Sequence, residues 1–472
     1  MIKTLNPPRI IVLSFLTAIL CGAFLLNLPI STQTGESLGP VNSLFTATSA
    51  ICVTGLTVKD TGGDFSLFGQ LVIIMLVQAG GLGIMTFSVL FTTVLLHKRL
   101  TISQGVAVQN ALGYTKTAGL KDLIKYIVLI TFFVESLGAL MLYMHWAIIM
   151  QGANNYYILW SAVFHSISAF CNAGFSIFTN SLVNLNRDAF TMLTIAFLII
   201  SGGLGFVAVL ELPRLRYYFS FFRKKTLAAL VKKQISEDMP INKISLHTKM
   251  VLTATIFLIA IGTVVIFFLE YGNALSQMPF WDKILNAFFT SVTPRTAGFN
   301  SVPTNALQAA TKFFIAVLMF IGASPGSTGG GIKTVTAIVL FAGFIAMLKK
   351  RDRMTFSRRT IEKDAFRRAV AIFVLSLGLV CAITLLLTIT ERALFYKSNE
   401  YFLNLFFETT SAFATCGLST ITTAHLSVIG KILIMLTMFL GRVGPLTAAL
   451  ALALRKEEKA KYIYPEEKIM VG

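Results

Sequence analysis

Apolar runs long enough to cross a membrane alternate along this chain with shorter segments of small, hydroxylated residues, always in the same order. Ile10–Leu28 is a long apolar run, Val41–Ala50 a short one, and Phe65–Leu96 long again. The triplet returns as Tyr126–Ile149, Leu159–Phe170 and Phe190–Leu212, then as Met250–Leu269, Trp281–Val292 and Thr311–Leu348, and last as Ala369–Thr390, Tyr401–Phe413 and Ile429–Leu454. An α-helix needs about 20 apolar residues to cross a bilayer core of about 30 Å. The first and last member of each triplet therefore predict crossings, eight in all. At about ten residues, or roughly 15 Å of helix, the middle members are too short to cross and predict segments that enter and leave on the outer side. Non-helical backbone at that depth survives only where protein buries it or where it lines water.

The short segments share a string. FTATSAICVTGL (Phe45 to Leu56) aligns with FHSISAFCNAGF (Phe164 to Phe175), FFTSVTPRTAGF (Phe288 to Phe299) and FETTSAFATCGL (Phe407 to Leu418), each with Phe ten residues before a glycine. The glycines, Gly55, Gly174, Gly298 and Gly417, stand 119, 124 and 119 residues apart. That period exceeds the roughly 20 to 50 residues of common solenoid repeats, so each unit is a module of several elements. The expected units are residues 1–97, 98–213, 214–349, with a broken inner helix, and 350–472, with a terminal tail. Small residues at helix contacts would explain one such segment, but not four with one offset between two full-length runs. The fold class that follows is an all-α polytopic membrane protein, with four outer helix, pore loop and inner helix repeats around one pore.

Composition agrees: 55% of the 472 residues are hydrophobic and only 13% charged, which excludes an ordinary soluble domain. The formal net charge of +19 would suggest nucleic acid, but 30 of the 40 Lys and Arg fall in five segments between the crossings. These are the N-terminus, residues 97–125, 213–249 and 349–368, and the tail from Arg455. The positive-inside rule puts all five in the cytoplasm, with both termini, and nucleic acid is not an expected partner. Five cysteines without CxxC spacing predict neither a disulfide framework nor a zinc site. Ile10–Leu28 is longer than a usual signal-peptide core and lacks an A-x-A site, so it reads as an uncleaved first span.

The candidate filter residues are Val53, Thr54 and Gly55; Asn172, Ala173 and Gly174; Thr296, Ala297 and Gly298; and Thr415, Cys416 and Gly417. They include no carboxylate, so cation selection would rest on backbone carbonyls that replace an ion's hydration shell. Glycine can turn such carbonyls inward without steric penalty. Each short helix would also aim its negative C-terminal end at the ion. Arg295 stands three residues before Gly298 and would repel cations from inside the pore, so it is expected to point behind the filter.

The third inner run breaks. Gly322-Ala323-Ser324-Pro325-Gly326-Ser327-Thr328-Gly329-Gly330-Gly331 carries one proline and five glycines and cannot hold a regular helix. The other inner runs contain QAGGLGIM (Gln78 to Met85), ISGGLGFV (Ile200 to Val207) and FLGRVGPL (Phe439 to Leu446) at similar distance past the filter. Flexible points and close-packing glycines are both open readings of the first two. GSTGGGIK (Gly326 to Lys333) places Ile332 where a phosphate-binding loop needs lysine, so no nucleotide is expected on this chain. Lys333 and Arg442 are cations inside the membrane, which cost about 2.5 to 3.5 kcal/mol each on insertion scales and are functional candidates by default.

Four pore loops in one chain, one glycine per loop, and GASPGSTGGGIKT (Gly322 to Thr334) resemble the Trk/Ktr/HKT superfamily of potassium transporters. The resemblance covers nearly the whole chain. Only one span precedes Gly55, where Trk-type subunits carry an extra hairpin, so the chain is similar to the KtrB-like membrane subunit of the Ktr branch. The resemblance implies potassium uptake across the plasma (inner) membrane, with potassium at the filter carbonyls as the transported ion and sodium as a possible activator. It also implies that Gly322 to Lys333 obstructs the pore as an intramembrane gate, with Arg442 beside it. By the same resemblance the chain dimerises, and a KtrA-like cytoplasmic ring binding ATP or ADP regulates it through the basic segments at 213–249 and 349–368. Membrane lipid phosphates are the other partner those segments would attract.

Five histidines without metal-ligand spacing, and no catalytic constellation, argue against an enzyme. An alternating-access sodium/potassium symporter is the alternative, since broken helices and internal repeats mark that class too. Its repeats are usually two and often inverted, whereas four here share one orientation, with Glu135 the only acid well inside a predicted span.

Overall fold

The computed structural model describes residues 7–83, 120–215, 244–351, 353–392, 400–421, 423–445 and 447. Residues 84–96 of the first inner run, residues 97–119 and 216–243 of the basic segments, and the tail from Arg455 lie outside the described residues.

The first repeat consists of α1 (Pro7–Leu26), α2 (Pro40–Ile51) and α3 (Leu67–Gly81). The second contains α4 (Leu120–Ile149), α5 (Asn155–Phe170), α6 (Ala189–Gly203) and α7 (Phe206–Leu215). The third contains α8 (Leu246–Glu270), α9 (Phe280–Val292), α10 (Ala309–Phe320) and α11 (Thr334–Leu348). A two-residue hairpin, β1 (Thr355–Phe356) and β2 (Arg359–Thr360), leads into the fourth. There follow α12 (Lys363–Thr390), α13 (Tyr401–Ala414) and α14 (Val428–Val443).

Among the described residues four helices, α1, α4, α8 and α12, are long and apolar enough to cross a membrane, and each is the outer helix of its repeat. Their lipid-side residues are large and exposed, Phe24, Phe133, Phe268 and Ile389 among them, a surface that only a bilayer makes favourable. The pore helices α2, α5, α9 and α13 run 12, 16, 13 and 14 residues. They are longer than the expected ten, because the chain enters helix as soon as a capping residue allows. Pro40 starts α2 at the position where a missing N–H is harmless, and Asn154 accepts from Tyr156 N to cap α5. At about 18 to 24 Å they still fall short of a crossing.

The third inner run breaks as its sequence predicts, and glycines in left-handed backbone follow the end of the preceding helix within two residues in all four repeats, at Gly83, Gly205, Gly322 and Gly444. Hydropathy is blind to this because the residues on either side stay apolar. Inner-helix N-termini are held by hydroxyl caps at Ser66 on α3 and Ser427 on α14. Glu391, fully buried at the end of α12, accepts from Ser427 N at 3.0 Å and so ties an outer helix to its inner partner.

Candidate ion pathway

Each pore helix ends in the same backbone figure. The residue two before each repeat glycine is left-handed, Val53 at φ 56°, Asn172 at 57°, Thr296 at 71° and Thr415 at 51°. The glycine itself follows at φ 84°, 69°, 79° and 92° for Gly55, Gly174, Gly298 and Gly417. Non-glycine residues adopt this conformation uncommonly, yet it occurs at the equivalent place four times. A left-handed residue followed two positions on by a left-handed glycine gives each strand the same local turn.

The four glycines close a ring. A Cβ on Gly55 would collide with Ala173 O; on Gly174 it would meet Ala297 O at 2.7 Å; on Gly298 it would collide with Cys416 O; and on Gly417 with Thr54 O. Each glycine thus faces the carbonyl before the next glycine, and the fourth repeat returns to the first. The order around the axis is the order in sequence.

Hydroxyls in the pore helices hold the strands in place. Ser49 Oγ accepts from Gly55 N and Ser411 Oγ from Gly417 N, both at 3.1 Å. Ser168 Oγ donates to Phe175 O at 2.7 Å and Thr293 Oγ1 to Phe299 O at 2.8 Å. These four were not singled out from the sequence, although the aligned strings carry Ser six residues before the glycine in three repeats and Thr five before it in the other. With its amide assigned by its surroundings, Asn172 donates to Ile199 O at 3.1 Å and Ala169 O at 3.0 Å. Arg295 is buried and donates from Nη2 to Thr255 Oγ1 on outer helix α8 at 3.0 Å, which puts the guanidinium behind the third strand.

Directly beneath lies the break between α10 and α11, residues 321–333. Gly329 packs against the Thr296 side chain and Gly330 against that of Thr415, so closely that a Cβ on either would overlap it. Thr328 Oγ1 donates to Phe170 O at 3.4 Å, and Ser324 N to Gly203 O at 3.2 Å. The segment therefore touches the glycine strands of the third and fourth repeats and, in the second, the end of pore helix α5 and of inner helix α6. It is folded on itself: Lys333 Nζ donates to Gly329 O at 2.6 Å, Ser327 Oγ to Ser324 O at 2.6 Å, and Thr334 N to Ala323 O at 3.2 Å. Pro325 and Gly326 form its outer turn, where Gly326 O accepts from Phe206 N at 3.0 Å. Arg442, in the last turn of α14, donates to Thr328 O and to Gly80 O of α3. One guanidinium thus links the broken segment to the first and fourth inner helices.

The inner-helix glycines pack tightly. A Cβ on Gly80 would overlap Ile51 O, on Gly202 Phe170 O and on Gly441 Phe413 O, each at the C-terminal end of its pore helix. Both readings hold in the second string at different residues, Gly202 allowing close approach and Gly205 breaking the helix, while in the first Gly80 allows close approach and Gly83 is left-handed past the end of α3. Beside Gly80, Gln78 Nε2 donates to Glu135 Oε2 at 3.2 Å, which pairs the buried acid of α4 with an inner helix.

The family model for TrkH, described as a cation transport protein, matches residues 11–462. The chain is 38% identical to the Ktr system potassium uptake protein B of Bacillus subtilis, over 99% of this chain and 97% of that one. It is 34% identical to the potassium/sodium uptake protein NtpJ of Enterococcus hirae, over 100% and 98%. The crystal structure of the potassium transporter TrkH from Vibrio parahaemolyticus superposes with a TM-score of 0.71 at 18% identity, covering 96% of this chain and 86% of that one. Fold, repeats and relatives agree, and the chain belongs to the TrkH family of cation transport proteins, multi-pass proteins of the membrane.

Proposed function

We propose that this chain is the membrane subunit of a potassium uptake system and that the ring of Gly55, Gly174, Gly298 and Gly417 is its selectivity filter. The observation that carries the reading is the closed ring itself. Four left-handed glycines, each against the carbonyl of the next repeat, present backbone oxygens to one axis at the negative ends of four helices. Carbonyl rings of this kind replace the hydration shell of a cation, and helix C-termini add roughly half a negative charge each. Relatives named for potassium uptake at 38% identity support potassium as the ion. Each of the four units, 1–97, 98–213, 214–349 and 350–472, supplies one quarter of this filter.

The segment from Gly322 to Lys333 is the gate in this reading, since it packs under the third and fourth filter strands and the end of the second pore helix and is pinned by Arg442. The relative named for potassium and sodium makes sodium stimulation part of the proposal. A regulatory ring that binds ATP or ADP docks on the basic cytoplasmic surfaces, both termini are cytoplasmic, and the subunit works as a homodimer. The test is uptake by the purified protein in liposomes. Potassium flux down a gradient, with sodium changing its rate but not moving in fixed ratio, is the expected result. Flux no greater than in empty liposomes would overturn the reading, and a fixed sodium-to-potassium ratio would establish the symporter instead.

A further inference from the structure

In two of the four repeats, the side chain nine residues before the filter glycine is bonded to the serine two residues after it. In the second repeat these are His165 and Ser176, with Nε2 and Oγ 2.9 Å apart. In the fourth they are Glu408 and Ser419, with Oε2 and Oγ 2.8 Å apart. Both pore-helix side chains are fully buried. His165 Nδ1 lies 2.7 Å from Ser161 O. A carbonyl only accepts, so Nδ1 carries the hydrogen and Nε2 is the acceptor for Ser176 Oγ, whose hydroxyl also has Phe178 O at 3.1 Å. The imidazole stacks on Phe178 at 4.5 Å between ring centroids and meets Trp146 edge-on at 5.4 Å. Glu408 is fixed by a second donor, Thr423 Oγ1 at 2.6 Å. An acceptor locked in the pore helix thus holds the serine hydroxyl in each case, although one is an imidazole and the other a carboxyl group.

The first and third repeats are built differently. Thr46 turns its hydroxyl to Asn42 O of its own helix at 2.9 Å, and Phe289 has no polar atom. Because the ring runs in sequence order, the two braced strands face each other across the axis. The bond spans the filter glycine, so the peptide units that carry the Ala173, Gly174, Cys416 and Gly417 carbonyls are tied at both ends. Strands one and three lack that tie.

We propose that His165 and Glu408 are positioning residues for ion discrimination, holding two opposite filter strands through Ser176 and Ser419; this rests on the filter assignment above. Ring carbonyls replace the ion's hydration shell, and their number and spacing about the axis bear on which cation they replace it for best. The experiment compares the parent with Ser176→Ala, Ser419→Ala, His165→Ala, Glu408→Ala and Glu408→Gln in liposomes. It reads the ratio of apparent KM for potassium and for sodium, and the maximal rate separately. Each alanine variant is expected to lower the discrimination ratio about fivefold, the factor that a lost hydrogen bond of about 1 kcal/mol sets, with a smaller change in maximal rate. Glu408→Gln, which keeps an acceptor oxygen, retains the parent ratio. Ser419→Ala combined with Glu408→Ala loses no more than either alone, as one shared bond requires. The serine variants remove a single oxygen, so they keep the test open should a pore-helix variant fail to fold. Parent-like ratios in folded Ser176→Ala and Ser419→Ala would overturn the proposal, as would an equal loss in Thr46→Ala. A parent protein that itself fails to discriminate would count against the filter assignment and not against the brace.

Discussion

Alanine scanning of the four ring glycines yields a graded prediction, because the ring is not quite symmetric. Two terms act on a methyl group at each position. The first is backbone strain, since the left-handed region costs an L-residue about 1 to 2 kcal/mol, and its centre lies near φ +57°. Gly174, at 69°, is closest to that centre, whereas Gly298 at 79°, Gly55 at 84° and Gly417 at 92° lie further away. The second is space. A Cβ on Gly174 would stand 2.7 Å from Ala297 O, while at the other three it would intrude further on the neighbouring carbonyl. Both terms name Gly174 as the position that tolerates alanine best. For Gly174→Ala, strain of about 1 to 2 kcal/mol corresponds to a loss of roughly 5- to 30-fold in potassium over sodium discrimination. Gly55→Ala, Gly298→Ala and Gly417→Ala must also displace a carbonyl of the proposed filter, so larger losses are expected, with Gly417→Ala the most severe. The assay is rubidium uptake by liposomes with sodium as competitor, on protein shown by size exclusion to be folded. Equal losses at all four positions, or a greater loss at Gly174, would refute the reasoning.

Three further outcomes follow from the same geometry. Arg442→Ala removes two donations, to Thr328 O and Gly80 O, and should raise basal flux about tenfold or more, since hydrogen bonds from a charged donor are worth roughly 1.5 to 3 kcal/mol each; liposome flux at or below the parent level would count against a closed-state pin. Ser49→Ala leaves Gly55 N, which donates to Ser49 Oγ at 3.1 Å, buried without that partner, at a cost of about 1 to 3 kcal/mol. Thermal unfolding in detergent should show it as a lowered midpoint, and an unchanged midpoint would remove the strand-holding role. Gly441→Ala drives a methyl into Phe413 O at the end of α13. Overpacking of this kind costs about 1 to 3 kcal/mol, and a thermal midpoint equal to the parent would show that the inner helix can back away.

The positions of the outer helices and pore segments were legible from hydropathy because length against bilayer thickness is a one-dimensional constraint. The ring glycines were legible because four copies of one string share one offset. The pore-helix hydroxyls stood in the same strings and were passed over, since Ser and Thr in a membrane segment read first as packing residues. His165 and Glu408 were invisible for another reason: their partners lie eleven residues away across a turn, and the two side chains share no chemistry except acceptance. The close approach of Gly329 and Gly330 to Thr296 and Thr415 had no local signal, since each pairs with a residue from another part of the chain.

By itself, the sequence determined that this is a membrane protein of four like units, each with one re-entrant segment ending at a glycine, and that the third inner helix must break. Those properties follow from local quantities: apolar length, the conformational range of glycine, and proline's missing donor. The tertiary structure alone decided that the four glycines close on one another in chain order, that the second inner helix also breaks, at Gly205, and that Arg442 reaches both Thr328 and Gly80. Those depend on where units some 120 residues apart meet, and the meeting is set by the mutual packing of all four repeats around one axis, which no single segment encodes.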